Sequence, residues 1–96
     1  MKVVYRLAAS LEAQEAADWY QLNAGLHHAL GFEQEVAAKL HLLQEHPQMG
    51  APGIRGMRSM PLKTYLYTIH YTVDGDTRRI FAVAHQKRRP GYWAKR

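Results

Sequence analysis

The chain has no cysteine among its 96 residues. That excludes a disulfide framework and any thiolate metal site. It has no apolar run near the roughly 20 residues needed to cross a bilayer. The opening stretch MKVVYRLAAS is too short in apolar residues, and is broken at Arg6, for a secretory leader. A soluble cytoplasmic protein without membrane contact is the expectation. Repeats, low-complexity tracts and linkers are also missing, so residues 1–96 read as one domain, long enough for a core without staples. Acid is scarce in the second half. After Glu45 only Asp74 and Asp76 remain. Residues 1–54 carry three cations and six acids, net −3, whereas residues 55–96 carry ten cations and two acids, net +8. The overall +5 therefore hides a basic half suited to face a polyanion.

The same scarcity argues against two-metal nuclease chemistry, which needs several converging carboxylates; Asp74 and Asp76 both belong to a turn signal, DGD. Zinc finds no better ligands. His27 and His28 are adjacent and diverge on a helix, and His41 and His46 read as solvated helix positions. Neither a metal nor a cofactor is expected.

What is present gives an α+β chain. KVVYRL, residues 2–7, is β-branched and aromatic and reads as a strand. Ser10 suits a helix N-cap, with Glu12, Glu15 and Asp18 early in the helix that follows. Ala13, Ala16, Ala17, Tyr20 and Ala24 share one face of it, small enough for close packing. A second helix is expected from about His28 to Glu45, with Ala29, Phe32, Val36, Leu40 and Leu43 at amphipathic spacing. A short joint makes the two an antiparallel hairpin. Pro47 ends the second helix, and HPQMGAPG is a loop by composition. RGMRSMPL reads as an edge strand because of Pro61. TYLYTIHYTV alternates with period two, and RRIFAVAH returns after the DGD turn. The expected order is β-α-α-β-β-β, with the hairpin packed on a mainly antiparallel sheet. Tyr65, Tyr67 and Tyr71 are expected in or near the core, and Met49, Met57 and Met60 as packing.

The chemistry-bearing residues gather where the last strand ends, in AVAHQKRRPGYWAKR. A strand-end histidine such as His85 is most simply a hydrogen-bonded structural residue. Its neighbours offer a second reading. Arg88 and Arg89 suit bidentate phosphate contact, and histidine is the usual proton-transfer group near neutral pH. Metal-free RNA cleavage, in which a 2′-hydroxyl attacks the adjacent phosphate, needs a base, phosphate-binding cations and a proton donor. His85, Arg58, Lys63, Arg89 and Tyr92 are chemically adequate for those jobs. Arg55, Lys87, Arg88, Trp93, Lys95 and Arg96 are candidate target contacts. Tyr92 and Trp93 could stack on bases, although Trp93 reads better as an anchor that pins the tail to the sheet. Pro90 biases Arg89 toward an extended conformation and stops the strand.

These words, in this order, resemble the RelE/ParE superfamily of toxins from type II toxin–antitoxin modules. AADWYQ looks like that family's Ala-rich first helix, and LGFEQEVAAKLHLLQEHPQMG like its second. IRGMRSMPLKTYLYTIHYTV looks like its Arg-bearing strand followed by the aromatic Y-x-I-x-Y strand. VAHQKRRPGYW looks like its His-x-x-x-Arg-Pro-x-x-Trp ending, with either Arg88 or Arg89 at the Arg position. The resemblance covers nearly the whole chain. It implies growth inhibition, neutralised by a cognate antitoxin. RelE-like members cut mRNA on the ribosome; ParE-like members inhibit DNA gyrase and need no catalytic residue. His85 and the cations lean toward ribosome-dependent cleavage, with gyrase inhibition the alternative and a non-toxic nucleic-acid-binding module of the same fold a third reading.

Overall fold

The computed structural model describes residues 2–89 and 91–95. Strand β1 (Lys2–Tyr5) leads into helices α1 (Leu7–Ala24) and α2 (Leu26–Glu45). Strands β2 (Ala51–Pro52), β3 (Arg58–Pro61), β4 (Tyr67–Asp74) and β5 (Thr77–His85) follow, with 3₁₀ turns at Ile54–Gly56 and Tyr92–Lys95. The expected order holds, with the two-residue β2 added inside the stretch read as loop. β3 is consequently not an edge. The sheet order is β1-β5-β4-β3-β2, antiparallel except where β1 pairs with β5 in parallel.

Helix α1 starts earlier than Ser10. The Arg6 N–H donates to the Ile80 carbonyl at 2.9 Å, which holds Arg6 extended (φ −66°, ψ 147°) as the last residue tied to the sheet. The chain turns helical at Leu7, and the Ser10 N–H donates to the Arg6 carbonyl at 3.0 Å. Arg6 is thus the N-cap, without a side-chain cap. At the other end Gly25 takes φ 100°, ψ 160°, a conformation costly for a residue with a Cβ, and it alone separates the helices. Tyr20 meets Phe32 at 5.5 Å between ring centroids, while Ala13 and Leu40 line one groove farther along, so the helices run antiparallel.

Ala9, Ala16 and Ala17 of α1 and Phe32, Val36 and Leu43 of α2 are buried against Met60, Ile69, Tyr71, Ile80 and Val83 of the sheet. Alternation places these sheet residues on the helix-facing side. Ser59, His70 and Ala82, aligned across β3, β4 and β5, share the opposite side. The register shifts between His70 and Tyr71, because Ala82 and Ile80 are their respective partners and Phe81 is extra. Arg78, 4% exposed, points its guanidinium at the Leu43 and Gln44 carbonyls, both at 3.4 Å, where the end of α2 leaves acceptors unpaired.

The loop after α2 is held by two side chains. The Tyr71 hydroxyl donates to the Pro47 carbonyl and accepts from the Gly50 N–H, each at 2.9 Å. Arg58 donates through one guanidinium nitrogen to the Gln48 (3.1 Å) and Gly50 (2.8 Å) carbonyls. A Cβ at Gly50 would stand 2.8 Å from the Tyr71 ring and hydroxyl and 3.0 Å from the Ser59 carbonyl. Tyr71→Phe leaves the buried Gly50 N–H without its acceptor and should cost about 1–3 kcal/mol in urea unfolding. Gly50→Ala should destabilise by displacing the same ring. A Tyr71→Phe melt indistinguishable from the parent would show that the loop stands without this tie.

Candidate functional site at the end of the last strand

β1 is four residues long and β5 is nine, so β1 covers β5 only from Thr77 to Ile80. Beyond that point helix α1 runs beside the open edge. The Val83 N–H donates to Glu12 Oε1 at 3.1 Å. The Tyr92 hydroxyl donates to the other carboxylate oxygen of Glu12. One carboxylate therefore joins the helix, the strand edge and the tail.

His85 is the last residue of β5. Its ring lies 5.1 Å from that of Tyr67, edge-on, and its Nδ1 accepts the Lys87 N–H at 3.1 Å. With Nδ1 acting as acceptor, the proton of the neutral ring sits on Nε2. The His85 carbonyl accepts the Arg88 N–H at 3.0 Å, and the Gln86 N–H donates to the Leu66 carbonyl at 2.8 Å. The strand thus ends in a locally bonded turn that includes the His85 ring. Arg88 lies over the Tyr92 ring, 4.1 Å from its centroid. A recess of about 200 Å³ beside His85 is lined by Glu12, Glu15, Trp19, Tyr67, Arg88 and Tyr92. Its wall carries two carboxylates and one guanidinium.

The other residues expected at an RNA-cutting centre are dispersed. Arg58 pairs with Tyr71 of β4 and His85 with Tyr67, four residues apart, about 13 Å along a strand. Arg58 also donates to the loop carbonyls of Gln48 and Gly50. Lys63 lies just past β3, where its main-chain N–H, with that of Thr64, donates to the Glu35 carboxylate. Lys87, Arg88 and Arg89 are exposed. The structure brings Tyr92 and Arg88 to His85 and leaves Arg58 elsewhere. Pro90 and Arg96 lie outside the described residues, and of Lys95 only the backbone is described.

Two residues not singled out in the sequence shape the site. Glu12 reads in the sequence as one of three acids early in the first helix. His70 lies in the alternating stretch TYLYTIHYTV. The His70 ring stacks on Trp93, 3.6 Å between centroids and 21° between planes. Trp93 Nε1 is enclosed with no hydrogen-bond partner. Burial pushes the His70 imidazole down to about 4, against a smaller upward pull from the Glu12 carboxylate. His70 is therefore neutral at pH 7.

Between about pH 6.5 and about pH 4 the unfolded chain binds a proton at this position that the folded chain refuses. Stability should fall as pH is lowered through that window, with no further loss from His70 below it. His70→Phe keeps a ring on Trp93 and removes the proton site. Thermal melts from pH 7.5 to 4 should decline less steeply for His70→Phe than for the parent; equal slopes would assign the acid sensitivity to other groups.

A family model described as "ParE toxin of type II toxin-antitoxin system, parDE" matches residues 3–90. Among solved structures, one from P. aeruginosa titled "Chromosomal ParDE TA system" matches with a TM-score of 0.77 at 19% identity, over 88% of this chain and 95% of that one. No curated protein matches by sequence. No helix among the described residues is long and apolar enough to cross a membrane.

Proposed function

This chain belongs to the ParE toxin family of type II toxin–antitoxin systems, and we propose that it arrests growth by binding and inhibiting DNA gyrase without breaking a bond itself. The lean toward ribosome-dependent RNA cleavage, drawn from His85 and the cations, is withdrawn: it finds no support in the family match. The observation that carries the binding reading is the surroundings of His85. Its Nδ1 is engaged by the Lys87 N–H, the recess beside it is walled by Glu12 and Glu15, and Arg58 is bonded to a different part of the fold. An inhibitor that works by occupying a surface needs none of these groups to converge.

The reading is tested by adding the purified protein to DNA gyrase in a supercoiling assay, beside primer extension on cellular mRNA after induction. Supercoiling should stop, transcripts should stay intact, and His85→Ala should inhibit within about twofold of the parent. Codon-spaced mRNA cuts that vanish in His85→Ala would restore the nuclease reading.

A type II toxin of the ParDE kind has a cognate antitoxin as its partner. The net +8 of residues 55–96 leads us to expect an acidic segment in that antitoxin. Its association rate with the toxin should drop as ionic strength rises, because exposed charges are screened beyond about 8 Å at physiological salt. Stopped-flow mixing across a salt series checks this, and a flat series would remove steering from the account.

A further inference from the structure

We propose that the recess between helix α1 and the end of β5 is a binding site for an organic cation, an ammonium or guanidinium group, held by the rings of Trp19 and Tyr67 and the carboxylate of Glu15. The site stands on the fold and does not depend on the gyrase reading.

The recess beside His85 has a neighbour. A second recess, of about 230 Å³, is lined by Trp19, Tyr20, Tyr67 and His85. Trp19, Tyr67 and His85 belong to both walls. The rings are turned steeply against one another. Trp19 meets Tyr20 at 5.3 Å between centroids and 87° between planes, Tyr20 meets Tyr67 at 6.2 Å and 64°, and Tyr67 meets His85 at 5.1 Å and 83°. Four rings in succession thus form corners rather than a closed stack. Trp19 is 54% exposed, so its ring is open to a ligand. A cavity of about 150 Å³ accommodates benzene, so either recess has room for an ammonium or guanidinium head.

Charge selects the ligand. An aromatic face attracts a cation through its quadrupole, and rings set around a cavity bind alkylated ammonium groups. The wall adds two carboxylates, Glu12 and Glu15, against the one guanidinium of Arg88. The Glu12 oxygens are engaged by the Val83 N–H and the Tyr92 hydroxyl. Among the described residues Glu15 has no ion-pair partner. Its charge reaches the rings: burial first, then Tyr20 and Glu15, push the Tyr67 phenol above its ordinary value. A neutral apolar ligand would cover Glu15 without pairing it. The chain also carries its own example of the contact, because the Arg88 guanidinium lies over the Tyr92 ring in the same wall.

The test follows the Trp19 indole N–H signal of the full chain in a proton–nitrogen correlation spectrum, identified by its loss in Trp19→Phe. The Trp93 indole, enclosed elsewhere, serves as the reference for an intact fold. Choline and methylguanidinium are the probes, at constant ionic strength, with the carbon isostere of choline as the neutral control. Both cations should shift the Trp19 signal saturably, and the isostere should bind at least about tenfold more weakly. Glu15 and Arg88 are exposed, so their substitution leaves the core untouched. Glu15→Gln should weaken cation binding about threefold or more, and Arg88→Gln should tighten it by a similar factor. The rank of the two cations tells the source, methylguanidinium ahead for an arginine side chain of a protein and choline ahead for a methylated amine; either order supports the site. No saturable shift with either cation would overturn the proposal, as would equal affinity for the neutral isostere. Tighter binding of inorganic phosphate at the same signal would overturn it too, and so would changes of the same sign in Glu15→Gln and Arg88→Gln.

Discussion

The Glu12 carboxylate is the junction on which the end of the last strand and the tail depend. A parallel β1 that stops after four residues leaves the far half of β5 with an open edge. An open edge invites pairing with a foreign strand. Helix α1 closes part of it by placing Glu12 where one oxygen takes the Val83 N–H and the other takes the Tyr92 hydroxyl. Hydrogen bonds to an ionised acceptor are roughly twice as strong as neutral ones. The helix, the last strand and the tail are thereby fixed at one point.

From that point the tail returns over the sheet. Arg88 covers the Tyr92 ring, Tyr92 meets Trp93 at 5.3 Å, and Trp93 stacks on His70. The helix hairpin fills one side of the sheet, and this aromatic strap covers part of the other. The enclosure that drives His70 toward neutrality follows from the same stack. On the helix side, Tyr71 and Arg58 do the corresponding work for the loop after α2. Two side chains of one sheet thus hold a segment with almost no regular structure of its own.

A histidine, several arginines and a tyrosine near one strand end are compatible with catalysis and with plain architecture, and composition alone cannot separate the two. The bonds around His85 are those of a strand-ending turn. His85 is engaged in the turn that ends its strand, and the acids nearest it come from a helix more than sixty residues earlier in the chain. A surface that binds tolerates such dispersal, whereas proton transfer to a phosphate requires convergence within hydrogen-bond reach.

The sequence by itself determined the element order, the amphipathic face of α2, the period-two strand β4, the hairpin at residues 74–76 and the basic second half. These follow from spacing and composition along the chain, and local physics reads them directly. It misplaced the start of α1, because a backbone bond from Arg6 to Ile80 decides where the helix begins, and that partner lies more than seventy residues away. It missed β2, since two residues leave no periodic trace. Glu12, His70 and the commitment of Arg58 were equally invisible: each owes its role to partners distant in sequence. Only the tertiary structure decided which charges face one another and which are spent on the backbone, because those are facts of proximity, and proximity across a sheet is set by register rather than by spacing along the chain.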